Sequence, residues 1–247
     1  MSALQRASAR SLILACGIAL AGVFVGLGFV RGRARDRTVT VKGVAEREVR
    51  ADLAIWPLRV VAVDDDLARA HAALQQSIGR IRTFLVAQGI DTAQVALQDF
   101  AVVDANANQY GGAVRSGARF VIHQTVVVRS NDPQRVLTAS QRVGELVSAG
   151  VVLSSGNEYG GGSGGPNFVY TRLNTLKPSM IAEATARARE AAQQFARDSR
   201  SDLDGIRDAN QGVFEILPRD QAAGITQESQ IVKTVRVVST VTYLLGS

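Results

Sequence analysis

The sequence predicts an α+β fold with largely antiparallel sheets and three helices, preceded by one N-terminal transmembrane helix. Three features carry that expectation. An uncharged apolar run, LILACGIALAGVFVGLGFV, extends from Leu12 to Val30. From Thr38 onward apolar residues recur at every second position, which is the strand period. The strand segments then come in groups between helices, without the regular alternation of a parallel sheet.

A helix rises about 1.5 Å per residue, so Leu12–Val30 spans most of a hydrocarbon layer roughly 30 Å thick. Two cleaved alternatives compete with an anchor. A signal peptide could end at Ala19-Leu20-Ala21, and a lipoprotein signal could use Ile13-Leu14-Ala15-Cys16. Both leave a strongly apolar stub such as VFVGLGFV, and the second has too short an apolar stretch before the cysteine. The uncleaved anchor is therefore preferred. It divides the chain into a cytoplasmic N-terminus (1–10), a transmembrane anchor (11–30), a basic juxtamembrane linker (31–37) and a folded domain (38–247). Gly22 and Gly26 have the spacing that lets two membrane helices pack closely, although glycine is also common in membrane helices generally. Arg6, Arg10 and the terminal amine precede the run while Arg31, Arg33, Arg35 and Arg37 follow it, so positive-inside counting would place the domain in the cytoplasm or at best give a tie.

The net charge of +6 is concentrated at the start of the chain. Residues 1–37 hold six arginines against one aspartate, which leaves 22 basic and 21 acidic residues from Thr38 onward. The domain is thus almost neutral, and no basic stripe with interleaved aromatics argues for nucleic acid. The sole cysteine, Cys16, lies in the apolar run, so no intramolecular disulfide can form.

TVTVKGVAEREV and LAIWPLRVVAV read as two strands with Arg50-Ala51-Asp52 as the turn; Pro57, which cannot donate to a ladder, marks an edge or a bulge. Asp64, Asp65 and Asp66 resemble a metal site but read better as the cap of a helix whose apolar face is Leu67, Leu74, Ile78, Ile81 and Leu85, ended by Gly89. VALQDFAVVDA and ARFVIHQTVVVRS are the next strands, joined by a polar loop around Asn106–Gly117. Asp132 caps a helix with Pro133 at its first position, running to about Ala149 and stopped by Gly150. Its end, LVSAGV, echoes LVAQGI at Leu85–Ile90, a match that either a duplicated strand–helix–strand unit or chance would give. After VVLSS, a glycine loop and NFVYTRL, a long helix follows Pro178, with Ile181, Ala184, Ala188, Ala192 and Phe195 as its packing seam and Glu183–Arg187 as an exposed ion pair. Two strands near GVFEIL and IVKTVRVVSTVTYLL close the chain.

The glycine loop matches two catalytic motifs, and both fail on context. Gly160, Gly162 and Gly165 spell the dinucleotide fingerprint, but strand-like residues rather than a helix follow the third glycine. Gly161, Ser163 and Gly165 spell the hydrolase elbow, but no histidine follows His123 to complete a triad. His71 and His123 have no metal partner at helical or strand spacing, and no cofactor site emerges.

In the order of its elements the chain resembles the SIMPL-domain proteins, a family of bacterial periplasmic and envelope proteins. The resemblance covers about Thr38 to Leu245 and rests on VTVKGVAEREVRADLA, FLVAQGIDTAQVALQDF, LNTLKPSMIAEATARAREAAQQFARDS, IRDANQGVFEI and VRVVSTVTYLL. Ala45 stands where a second glycine is usual, and Ala51 where a proline often precedes the aspartate. The resemblance implies an exported α+β domain, in some members a large homo-oligomer and in some a link to oxidative-stress tolerance. It supplies no catalytic residues. Export is what orients the domain toward the periplasm, with the anchor in the inner membrane.

The expected function is therefore a non-enzymatic, membrane-anchored periplasmic protein that assembles with itself, touches the bilayer through Leu12–Val30, and contributes at most indirectly to envelope or stress tolerance. The alternative is a ligand- or protein-binding module, its ligand unnamed by the sequence. Its surface would gather Tyr159, Phe168, Tyr170, Asn174 and Lys177 around the glycine loop, residues that strand packing and helix capping also explain.

Overall fold

Strand β1 (Thr38–Arg50) alternates buried and exposed positions and pairs antiparallel with β8 (Val232–Gly246) along its whole length, from Thr38 opposite Leu244 to Arg50 opposite Val232. The computed structural model describes residues 17, 21–24, 37–106, 117–154 and 164–246. Most of the expected anchor, including Gly26, and most of the glycine loop, including Tyr159, lie outside the described residues. Residues 21–24 are helical, and among the described residues no helix is long and apolar enough to cross a membrane.

At Ala51 the chain changes sheets. The Ala51 N–H still donates to Ile231 beside β8, while the Asp52 N–H donates to Val169 at the end of β5 (Asn167–Val169). The segment expected as a turn therefore does not close a hairpin; β1 and the following β2 (Leu53–Asp64) belong to different sheets. The first sheet has the order β1-β8-β6, with β6 spanning Asp202–Gln211, and β7 (Glu215–Pro218) also pairing with β8. The second has the order β3-β4-β2-β5, with β3 at Val95–Asp104 and β4 at Phe120–Ser130. All strand pairs are antiparallel, so the expected α+β class holds.

Pro57 occupies an edge. Arg59 C=O and Val61 N–H bond outward to Ser154 and Val152, so by the two-residue repeat Pro57 nitrogen faces the same side, away from β4. β5 pairs only with Leu53–Ile55, which leaves that side of Pro57 without a ladder partner.

The helices depart from expectation in number and extent. Among the described residues from Arg37 onward there are four α-helices, α1 (Leu67–Ala87), α2 (Pro133–Gln141), α3 (Gly144–Ser148) and α4 (Leu173–Asp198), with a 3-10 turn at Thr92–Gln94. The single helix expected from Asp132 to Ala149 is broken at Arg142–Val143. There the ladder tightens to three-residue bonds, Arg142 to Ala139, Val143 to Ser140, Glu145 to Arg142 and Leu146 to Val143, next to the poor helix former Gly144. α4 starts at Leu173, five positions before Pro178, so the proline lies inside the helix, where it removes one backbone bond, the one that would go to the Asn174 carbonyl. Its buried seam is Met180, Ala184, Ala188, Ala192 and Ala196, a strict four-residue repeat. Ile181 is half-buried and Phe195 is 59% exposed, one position off that line in each case.

Two cores follow from the two sheets. In the first, the α4 seam lies on Val41, Ala45, Val235, Val237, Val241 and Tyr243. A Cβ at Gly43 would overlap the Ala184 carbonyl oxygen and sit 2.5 Å from the Ala188 nitrogen, so helix and strand backbones touch directly. In the second, Trp56, Leu58 and Val60 of β2 and Ile122, Val126 and Val128 of β4 face Leu74, Ile78, Ile81 and Leu85 of α1, with Val136, Ala139 and Leu146 from α2 and α3.

The echo between Leu85–Ile90 and Leu146–Val151 is structural. Gly89 and Gly150 adopt φ of +71° and +82°, and Ile90 and Val151 donate back to Leu85 and Leu146, giving the same αL helix stop twice. The helix starts match as well. Asp66 N–H bonds Asp64 and its carboxylate accepts from the Arg69 N–H, while Asp132 N–H bonds Ser130 and its carboxylate accepts from the Arg135 N–H. The β2–β4 register is symmetric about Arg59 opposite Thr125, with Ala54–Ser130 matched by Asp64–Phe120. Thus β2-α1-β3 and β4-α2-α3-Leu153 form two copies of one unit about a local two-fold, Leu153 pairing with Val60 as β3 pairs with β4. The copies also tie one another's helix ends: Arg135 donates to the Gly89 carbonyl and Arg80 to the Ala149 carbonyl, each at 2.7 Å.

Candidate functional site

The residues singled out for a binding surface differ in their surroundings. Phe168 is buried in the second core. Tyr170 packs against the first core, Asn174 is exposed on the first turn of α4, and Lys177 lies 5.9 Å from the centre of the Phe214 ring as a cation–π partner. Tyr159 lies outside the described residues. Gly22 is helical with open space around it.

The acidic triplet caps α1 as its composition suggested. Asp64 also binds the Arg69 side chain at 2.8 Å, and Asp65 accepts from the Arg119 backbone. That arginine hydrogen-bonding pulls the Asp64 carboxyl below the usual carboxylate range. Among the described residues, no group of three His, Cys, Asp or Glu side chains is arranged to hold a metal ion. His71 is exposed on α1 beside Gln75 and the edge of the Phe100 ring, and His123 is half-buried in β4.

A cleft of about 420 Å³ opens at one end of the second sheet. All four strands of that sheet contribute to its lining: Gln94 before β3, Arg129 and Asn131 at the end of β4, Asp52 and Leu53 at the start of β2, and Thr171 and Arg172 just after β5. Asp52 makes the most polar contacts of the lining groups. Its carboxylate accepts from the Thr171 N–H at 2.8 Å and the Thr171 hydroxyl at 2.9 Å, and pairs with Arg172 Nε at 3.2 Å. Burial alone would raise its pKa, but the Thr171 bonds together with Arg172 outweigh it and hold the carboxyl below the usual range. These contacts join residues 119 positions apart, so sequence spacing gave no sign of them.

A second group that sequence reasoning missed is Lys233, fully buried in β8. Its amine donates to the Gln227 carbonyl, and burial pushes its pKa down while nearby Glu228 opposes the shift. The Gln227–Ile231 stretch also accepts from the Phe168 N–H through Glu228 and from the Ala51 N–H through Ile231. Lys233 therefore fastens a strap that crosses from the first sheet to the second.

The third feature is a contrast between two of the edge strands, β6 of the first sheet and β3 of the second. β6 carries Asp202, Asp204, Arg207 and Asp208, with two register shifts against β8. β3 is exposed along its length and apolar: Leu97, Phe100, Val102 and Val103 are 39%, 53%, 44% and 39% exposed. One irregularity interrupts β3 between Gln98 and Ala101, where Asp99 takes φ of +53°.

With this geometry in place, a family model described as SIMPL, protein of unknown function (DUF541), matches residues 39–243. The chain belongs to the SIMPL family. The match spans both sheets and all four helices, so the SIMPL domain is the two-layer unit itself and not a part of it. No curated protein matches the chain.

Proposed function

We propose that this SIMPL domain is a non-enzymatic assembly module, held at the inner membrane by Leu12–Val30, facing the periplasm, and self-associating through the free edge of β3. The β3 edge carries the proposal. An unprotected apolar edge strand is a template for pairing, and soluble proteins ordinarily blunt such edges with charges, proline or bulges. β6 is blunted in that way and β3 far less so. Antiparallel pairing of β3 with β3 of a second copy would join two four-stranded sheets and cover Leu97, Phe100 and Val102 by symmetry. Clustering would also bring anchors together, where Gly22 and Gly26 add contacts. Any part in envelope or oxidative-stress tolerance is then indirect, because Cys16 is the only thiol and belongs to the N-terminal apolar run.

The test is the mass of the purified protein with and without a β3 substitution. The wild-type domain is expected well above its monomer mass, and Val102→Lys should weaken association by about tenfold or more. Deleting residues 160–165 should leave the mass unchanged. A strictly monomeric wild-type species at micromolar concentration contradicts the proposal. The cleft at Asp52 favours the ligand-binding alternative, which requires no assembly.

A further inference from the structure

The cleft at the end of the second sheet has an unbalanced charge. Its lining holds two guanidinium groups, Arg129 and Arg172, against one carboxylate, Asp52. Asp52 is already committed to Thr171 and to Arg172 Nε. Arg129, at the end of β4 opposite Ile55, makes no ion pair or side-chain hydrogen bond among the described residues. The side-chain amides of Gln94 and Asn131 are also without protein partners there. The wall thus presents a free fork of donors and two amides, around a volume within the roughly 300–1,000 Å³ range of small-molecule sites.

We propose that this cleft binds a small organic molecule through an oxyanion, carboxylate or phosphate, held by Arg129. Arginine presents parallel N–H donors that match the two oxygens of such a group. The Nη groups of Arg172, an exposed side chain whose Nε pairs with Asp52, supply the second cation. Asp52 is a positioning residue: its pair orients the Arg172 side chain, and its bonds to Thr171 fix the loop that carries Arg172. The amides of Gln94 and Asn131 suit hydroxyl or amine substituents on the ligand, and Leu53 gives its carbon skeleton an apolar contact. α4 begins at this wall with no side-chain cap, which also favours negative charge there. The cleft lies at the opposite end of Val95–Asp104 from Val102, so this proposal does not rest on the assembly reading.

The experiment is calorimetric titration of the full-length detergent-solubilised protein with succinate and, separately, inorganic phosphate. At least one probe is expected to bind with a Kd of about 1 mM or tighter, and the stronger of the two identifies which oxyanion the cleft takes. Arg129→Gln should weaken that binding by about tenfold or more without changing the melting temperature, since no partner is lost. Asn131→Ala should weaken it less. Arg219→Gln, which removes an ion pair with Asp220 outside the cleft lining, should leave it unchanged. Failure of both probes to bind below about 10 mM overturns the proposal, as does equal binding by wild type and Arg129→Gln.

Discussion

In the first layer α4 meets β1 through Gly43, Ala184 and Ala188, with backbone against backbone. In the second layer α1 meets β2 and β4 through Leu74, Ile78, Ile81 and Leu85 packed on Trp56, Val60 and Ile122. Both contacts put a helix on an antiparallel sheet, but one depends on what is absent and the other on what is present. A small-residue seam tolerates no added atom, because the neighbouring atoms are backbone and cannot move aside. A seam of large side chains tolerates no lost atom, because the cavity left behind collapses only partly. The free edges of the layers differ in the same spirit. One edge of the first layer is charged, bulged β6, and one edge of the second is apolar β3.

Substitutions can break this contrast or sharpen it. Leu74→Ala, at a fully buried position in the second core, is expected to cost about 3 kcal/mol in denaturant unfolding. Gly43→Ala should cost about 2–3 kcal/mol despite adding a single methyl group, because the new Cβ overlaps the Ala184 carbonyl. Gly79→Ala in α1 is the opposite case. Its Cβ would enter open space, so the better helix former should stabilise the domain by about 0.5–1 kcal/mol. If both glycine substitutions move stability in the same direction, the contrast between the layers fails.

The two caps of the repeated unit give a finer comparison. Asp66→Ala and Asp132→Ala should each cost about 1 kcal/mol, and similar values for the two would support their equivalence across the local two-fold. The smallest effect is a pH dependence at Asp52. Its folded pKa is held below the unfolded value, so its stabilisation is complete above about pH 4 and is lost as pH falls through the folded value. Thr171→Val should flatten that part of an acid-unfolding curve. Lys233 adds a slope of the same sign at high pH. Burial lowers its folded pKa, so stability should rise as pH climbs from that lowered value toward the unfolded value near about 10.4.

Much of the fold was legible because local rules and tertiary demands agreed. β1, β2, β3, β4 and β8 follow the two-residue period within a residue or two of their observed ends, and Asp66, Asp132, Gly89 and Gly150 mark helix ends where they stand. β6 was missed because its charges and Gly205 hide the alternation, and those charges are what suits it to an edge. The partition into two sheets was not legible, since β1 and β2 have the same local pattern and only long-range pairing separates them. Phe168, grouped with the glycine loop by its position in the chain, went to the core because β5 pairs it with buried Ala54 near the start of β2. The Asp52 cleft needed the ends of four strands brought together, which no local window contains.

Hydrogen exchange of the β3 backbone, measured at low and high protein concentration, tests the assembly claim most directly. Self-association through this edge should slow exchange across Val95–Asp104 as concentration rises, while β6 exchanges at a constant rate. Concentration-independent exchange in β3 from a sample whose mass exceeds the monomer would place the interface elsewhere and contradict the account.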